Sequence, residues 1–447
     1  MSSPPHPFRI HNFRAYWLAR FSTTLGQMAM VIVIGWQVYD LARATMSVKE
    51  AAFQLGLIGV AQFLPLLVLS LYSGWVADRL DRRWIARGAV ALEAGCALAL
   101  AWLTWSGAIA LPWLFGIAAL LGVARAFAGP ALGALSPNLV PREVLPTAIA
   151  LSALAWQGAS VAGPALGGYL YAATDWLPYA VSGGLFSFAL VMLLLIGPVP
   201  RNAVDRTRNP WMQMIDGLQY VRRNRLVLGA ISLDLFAVLL GGATAMLPVY
   251  ARDILRVGAD GLGHLRAAPA LGAVAMAVWF GISPLKHNVG VKMLASVALF
   301  GAATALFGLS APLFYPLFGA GAVGHDTSPA VLFALACLFV IGAADMVSVY
   351  VRQSLIQLYT PDDMRGRVGA VSTLFVSGSN ELGEAESGFL AALIGPIAAV
   401  VAGGIGAVLV TVLWARWFPE LRRARTFDPP EQPLIDDASV PTLAPTA

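Results

Sequence analysis

The sequence predicts an all-α membrane protein of twelve transmembrane helices arranged as two six-helix pseudo-repeats. Three observations carry that reading. Of 447 residues, 58% are hydrophobic and 44 are glycine, while only 12% are charged, about half the roughly 25% of a soluble domain. So few charges cannot cover the surface of a water-soluble protein of this length, and disorder is excluded because it requires low hydrophobicity. Uncharged runs at 94–124, 176–200, 293–325 and 387–415 reach or exceed the roughly 20 residues that cross a hydrocarbon core. Finally, the chain echoes itself at an offset of 220 residues.

The individual spans follow from punctuation. Charges, prolines and glycines, such as Gly107 to Pro112 and Gly395–Pro396, divide the apolar runs. The candidate helices are 17–40, 55–76, 84–106, 111–135, 146–172, 178–199, 226–250, 264–283, 291–310, 329–351, 366–392 and 396–418. Backbone groups in lipid must bond internally, which leaves helices or a closed barrel. Runs this long lack the alternation that a barrel strand needs.

Lys and Arg orient the spans. With both termini in the cytoplasm, the inner segments hold 23 of the 29 basic residues, Arg87 and Arg352 among them. The outer loops hold Arg43, Lys49, Arg252, Arg256 and Arg266, and Arg125 lies inside a span. That asymmetry sets topology. It also explains the net charge of +5 without a nucleic-acid partner, because the basic residues flank membrane segments. The expected location is the cell (inner) membrane, multi-pass, with no cleavable signal peptide. Cys96 and Cys337 fall inside helices, and the five histidines are scattered. No disulfide framework, metal site or cofactor is expected. The expected partners are the lipid bilayer, a small-molecule substrate and protons, and the chain reads as monomeric.

Five segments result: a cytoplasmic N-terminal segment (1–16), a six-helix half (17–199), a linker (200–225), a second six-helix half (226–418) and a disordered cytoplasmic tail (419–447). Within the linker, Trp211, Met214, Ile215, Leu218 and Val221 recur at helical spacing before Arg222, Arg223 and Arg225. This reads as an amphipathic helix on the cytoplasmic leaflet, against the alternative of a flexible linker. The tail is rich in proline and acid. Eight identities link 141–168 to 361–388, from Pro141/Pro361 through Gly158/Gly378 and Gly163/Gly383 to Gly168/Gly388. They pair the fifth span with the eleventh, as duplication of a six-helix unit requires. Substrate sites in such transporter plans lie between the repeats near the midplane.

Several motifs resemble one family. Gly74-Trp-Val-Ala-Asp78-Arg79-Leu-Asp81-Arg82-Arg83 resembles the G-x-x-x-D-R-x-G-R-R signature of the major facilitator superfamily, with Asp81 where the family has glycine. Gly74 would let the second span approach a neighbour closely, and Asp78 would meet a helix N-terminus. The resemblance assigns Gly74, Asp78, Arg79, Arg82 and Arg83 to a cytoplasmic gate against the start of the eleventh span, at Met364 to Arg367. Arg87 alone reads as ordinary positive-inside charge. Arg125, followed by Gly129-Pro130, is similar to the family's fourth-helix arginine pattern, which is linked to proton coupling. In the fifth span, Gly163-Pro164 and Gly167-Gly168 resemble the G-x-x-x-G-P-x-x-G-G motif of exporters, with Ala159 at its first glycine. A generic tight helix interface would explain the small residues but not the full pattern. TPDDMRGRV (360–368) and SGSNELGEAESG (377–388) are similar to the enterobactin-exporter branch of the superfamily. The resemblance covers essentially the whole chain and implies the major facilitator fold.

Ionisable residues inside a span are expensive and normally face a cavity or a partner. Seven charged residues lie more than five residues from either end of a predicted span: Glu93, Arg125, Asp234, Asp345, Glu381, Glu384 and Glu386. The resemblance makes spans 1, 4, 7 and 10 line the central cavity, which puts Arg125, Asp234 and Asp345 at one depth. Asp234 and Asp345, then Glu381 and Glu384, are the proton-coupling candidates, with Arg125 as their cation. The competing reading makes each acid a structural helix link, and for Glu93 that reading is preferred. Gln27, Trp36 and Gln37 on the first span are candidates for the substrate cavity, although Trp36 and Tyr39 fit an interfacial belt equally well.

The leading functional reading is a proton-coupled secondary exporter of small amphiphilic molecules, of siderophore or drug type, working by alternating access. The alternatives are an importer of a small nutrient on the same fold and a non-transporting membrane receptor. No G-x-x-x-x-G-K-[ST] loop suggests an ATP-driven pump, and no catalytic constellation suggests an enzyme.

Overall fold

A computed structural model describes residues 6–79, 81–135, 138–141, 144–198, 210–283, 285 and 287–427. Every regular element among them is helical. The first set comprises α1 (His11–Arg43), α2 (Val48–Arg79), α3 (Arg82–Trp105), α4 (Leu111–Leu135), α5 (Leu145–Ala173) and α6 (Leu177–Leu194). After α7 (Pro210–Arg223) come α8 (Arg225–Leu240), α9 (Leu247–Val249), α10 (Gly258–Ile282), α11 (Val289–Gly308) and α12 (Ser310–Phe318). The chain ends with α13 (Pro329–Tyr359), α14 (Asp362–Ile394), α15 (Pro396–Trp417) and α16 (Pro419–Arg423). Ten helical segments among the described residues are long and apolar enough to cross a membrane. The chain is a multi-pass membrane protein. The predicted spans at 146–172 and 366–392 correspond to α5 and α14, of 29 and 33 residues, which lie outside those ten.

Four differences from expectation bear on the charged residues, the helix break and the tail. The seventh span is not one helix: α8 stops at Leu240, and Gly241–Gly242 leads into a 3₁₀ turn (Ala243–Met246), α9 and a π turn (Tyr250–Ile254). Each glycine costs a helix about 1 kcal/mol. Here the break also lets the chain press on α14, because a Cβ on Gly242 would stand 2.7 Å from the Gly383 carbonyl oxygen. α13 continues to Tyr359, so Arg352 lies inside a helix rather than in an inner loop. Arg266 likewise lies inside α10 rather than in an outer loop. The start of the predicted tail is ordered on the bundle: Leu421 is buried, and Gly290 donates its N–H to the Ala424 carbonyl at 3.0 Å. Residues 428–447 and the linker stretch 199–209 lie outside the described residues.

α7 is one continuous helix of 14 residues. It docks on the start of α14: Val221 is buried, Tyr220 donates to the Tyr359 carbonyl at 2.8 Å, and Arg367 pairs with Asp216 at 3.4 Å. Met212, Ile215 and Leu218 stay exposed.

Packing follows the small and apolar faces. α1 packs on α5 and α6, α3 on α4 and α6, and α2 on α4. In the second set, α8 packs on α14 and α15, α11 on α13 and α15, and α10 on α13. The most extensive contacts between the sets are α2 with α14 and α5 with α10, and α1 also meets α9. One apolar core, with Phe13, Val90, Tyr179 and Phe186, sits within the first set, and another, with Ala230, Met293 and Leu355, within the second. A third joins the sets at the predicted outer end through Tyr39, Leu55, Tyr250 and Phe307.

Candidate functional site

The predicted proton-coupling residues fall into three groups rather than one. In the second set, Asp234 on α8 is buried and forms an ion pair with Arg352 on α13. Asp345 precedes Arg352 by two helical turns, which puts both on one face of α13. Asp234, Asp345 and Ser348 line a small cavity closed by Val297 and Phe300 of α11. Asp345 joins no ion pair among the described residues. The cation beside Asp234 is therefore Arg352, which the sequence reading had placed in a loop.

Arg125 belongs to a second group. It lines a small cavity with Gln27, Gln62 and Glu93, and its charge acts on Glu93. Gln27 donates from Nε2 to Glu93 Oε1 at 2.5 Å. Glu384 on α14 lies within electrostatic reach of Arg266 on α10. Glu381 is on α14 one turn earlier, its side chain outside the described ones.

The helix-1 residues divide as well. Gln27 faces a cavity. Gln37 is buried with both ends of its amide engaged: its Nε2 donates to Thr104 Oγ1 at 3.2 Å, and its Oε1 accepts from Tyr179 at 2.7 Å. Trp36 is buried edge-on against Tyr171. Both are parts of helix packing and neither lines either of the two small cavities, contrary to the cavity expectation.

At the predicted cytoplasmic gate, Gly74, Asp78 and Arg79 form the end of α2, their side chains outside the described ones. Asp81, where the family pattern has glycine, caps α3 by accepting from the Arg83 N–H at 3.0 Å. It also pairs with the Arg83 guanidinium at 2.6 Å, so Arg83 is held locally. Arg82 opens α3 beside it. Arg87 is not plain loop charge: it is buried, stacks on Trp84, and donates to the carbonyls of Leu193 and Ile196 at 3.0 and 3.1 Å. It thereby satisfies carbonyls that the end of α6 leaves open.

A network of ion pairs not anticipated from the sequence joins the opposite end. Asp40 at the end of α1 pairs with Arg252, and Arg43 pairs with Asp253 at 3.0 Å. Tyr39 donates to Asp253 at 2.5 Å, and Lys49 donates to the Leu393 carbonyl at 3.2 Å. These bonds join the first helix set to the second at the predicted outer end. The available signal was charge order: Asp40 and Arg43 share a helix face, and Arg252-Asp253 offers the complement.

The glycine–proline motif of α5 provides close helix approaches on two sides. A Cβ on Gly163 would meet the Leu25 carbonyl oxygen at 2.9 Å, and one on Gly167 the Ala29 carbonyl oxygen at 2.7 Å, both on α1. Gly168 instead faces the other set, where a Cβ would lie 2.7 Å from Gly263 Cα on α10. Its repeat counterpart Gly388 on α14 faces Gly56 of α2, with Gly56 Cα at 2.5 Å from a Cβ there. Pro164 sits between the two α1-facing glycines, Gly163 and Gly167.

Comparison with known proteins agrees with this architecture. The curated enterobactin exporter EntS of Escherichia coli O127:H6 (strain E2348/69 / EPEC) is 29% identical over 430 residues, covering 93% of this chain and 94% of the relative. EntS of Salmonella choleraesuis (strain SC-B67) is 28% identical, covering 95% of each. Among solved structures, a bacterial homologue of the human lysosomal transporter Spinster, inward-facing and unoccupied, superposes with a TM-score of 0.67 at 13% identity, over 94% of this chain and 99% of that one. The inward-open xylose transporter XylE from E. coli gives 0.63 at 13% identity, over 93% and 97%. These are likenesses of fold, and these relatives are transporters rather than enzymes. The Major Facilitator Superfamily profile matches residues 16–383, and the chain belongs to that superfamily.

Proposed function

We propose that the protein is a proton-coupled exporter of small amphiphilic molecules, of the catecholate-siderophore or drug type, working by alternating access in the inner membrane. The observation that carries the coupling is Asp345 beside the Asp234–Arg352 ion pair in one buried cavity. Asp234 is committed to Arg352, which leaves Asp345 to load and release the proton as access alternates. Glu381 and Glu384 on α14 form a second acidic step. Arg125 serves the corresponding cluster on α4, and Gln27 lines the substrate path. Export is supported by the EntS relatives and by the Gly163-Pro164 and Gly167-Gly168 motif.

In this reading α5 and α14 complete twelve spans, both termini are cytoplasmic, and the protein works as a monomer without cofactor. The matched neighbours support two pseudo-repeats: α1 with α5 and α6 parallels α8 with α14 and α15, and α2 with α4 parallels α10 with α13. Asp40–Arg252 and Arg43–Asp253 form the outer gate. Gly74, Asp78, Arg79 and Arg82 form the cytoplasmic one, facing the start of α14.

The test is efflux from proteoliposomes of defined orientation under an imposed proton gradient, with enterobactin as the first probe. Gradient-driven movement out of the cytoplasmic side supports the reading. Movement indifferent to the gradient, or lower internal probe in cells lacking the protein, overturns it.

A further inference from the structure

Glu93 on α3 is wholly buried, and the function proposed above leaves it unused. Its two oxygens differ. Oε1 accepts from Gln27 at 2.5 Å, while Oε2 finds no hydrogen-bond partner among the described residues. An ionised carboxylate oxygen held this way lacks both water and a donor, which is costly. A proton on Oε2 removes the charge and turns an unserved acceptor into a hydroxyl donor.

The surroundings suit a group that changes charge. Glu93 lines a small cavity with Gln27 from α1, Gln62 from α2, Arg125 from α4 and Phe186 from α6. Such a space has room for little more than one water molecule. Arg125 is the charged group that acts on Glu93 among the described residues, and Cys96 lies within reach on α3 itself.

We infer that Glu93 is a proton-binding carboxyl of the first helix set, separate from Asp345. The proton sits on Oε2 while Gln27 holds Oε1. On release the O–H bond breaks, the proton passes to water in the cavity, and Arg125 balances the carboxylate left behind. The inference deepens the coupled-exporter reading and rests on it for the proton's use in transport, but the site stands on the first helix set alone.

The test reads the carboxyl directly. The full-length protein in lipid nanodiscs is treated with dicyclohexylcarbodiimide, which attacks protonated carboxyls in apolar surroundings, and its peptides are mapped across acidic to alkaline pH. Glu93 should be modified in acid, with modification falling about tenfold per pH unit beyond its midpoint. Arg125→Gln should extend modification to higher pH, and Asp345→Asn should leave it unchanged. A titrating carboxylic-acid carbonyl band in infrared difference spectra should disappear in Glu93→Gln, a variant that keeps the shape of the side chain. Glu93 unmodified in acid while Asp345 is modified would overturn the inference and leave the exporter reading standing. Efflux indifferent to a proton gradient would overturn the exporter reading without touching the labelling of Glu93.

Discussion

Asp234 on α8 and Arg352 on α13 form an ion pair whose side chains are 5% and 3% exposed. Removing one partner of such a pair strands the other charge in an apolar environment, at about 3–5 kcal/mol. Replacing both with apolar residues of similar volume is often neutral or better. Arg352→Met and Asp234→Leu should therefore each destabilise the protein strongly, and the double variant should recover most of that loss. Thermal unfolding in detergent of the four proteins checks the cycle, and additive losses would mean that the two side chains do not depend on each other.

Asp345 shares that cavity without an ion pair among the described residues. Asp345→Asn keeps size and hydrogen bonding but cannot carry a proton. Gradient-driven efflux should fall by roughly 100-fold, within the range assigned to a positioned proton-transfer group. Exchange of labelled for unlabelled substrate without a gradient should persist. Efflux that still follows the gradient in this variant would remove Asp345 from the coupling path.

The fold was largely legible in the sequence, and the partnerships were not. Span lengths follow from hydrocarbon thickness, so 111–135 is matched by α4 and 396–418 by α15 to within a residue. The apolar pattern is blind to a charge that finds a partner. Arg352, Arg266 and Arg87 all looked like loop charges because a positive residue normally ends a span, yet each lies within a helix. The break at Gly241–Gly242 was hidden in an apolar run, and its cause is the approach of α14, which is a tertiary contact. Glu93 and Arg125 were both visible as buried charges. That both line one cavity between α3 and α4 needed the packing.

The outer gate joins Asp40 to Arg252 and Arg43 to Asp253, with side chains 20–45% exposed. Pairs this accessible are worth about 0.2–1 kcal/mol each. Asp40→Asn combined with Asp253→Asn should thus shift the balance of conformers toward an open outer face by roughly tenfold. Spin labels at Ala44→Cys and Arg256→Cys, in a background lacking Cys96 and Cys337, would report this as a longer-distance population. The difference between variant and wild type should grow at low salt, where the wild-type pairs are strongest. An unaltered distance distribution in the double variant would mean that the apolar core alone holds this end shut.

Gly168 on α5 and Gly388 on α14 each cross a glycine of the other helix set, Gly263 and Gly56 respectively. The crossings lie beside the ionic gate, so they exist in the closed outer face and must separate when it opens. A side chain there is overpacking confined to one conformer, at about 1–3 kcal/mol. Gly168→Val should therefore open the outer end more than the loss of an ion pair does, and should slow efflux roughly tenfold by depleting the closed state. Gly388→Val should act alike, because its crossing is equally tight. Gly163→Ala provides the contrast: it loosens α5 from α1 within one set, so it should lower thermal stability without moving the spin-label distances. Equal distance changes in Gly163→Ala and Gly168→Val would mean that the motif is a general packing seam rather than a closure between the two helix sets.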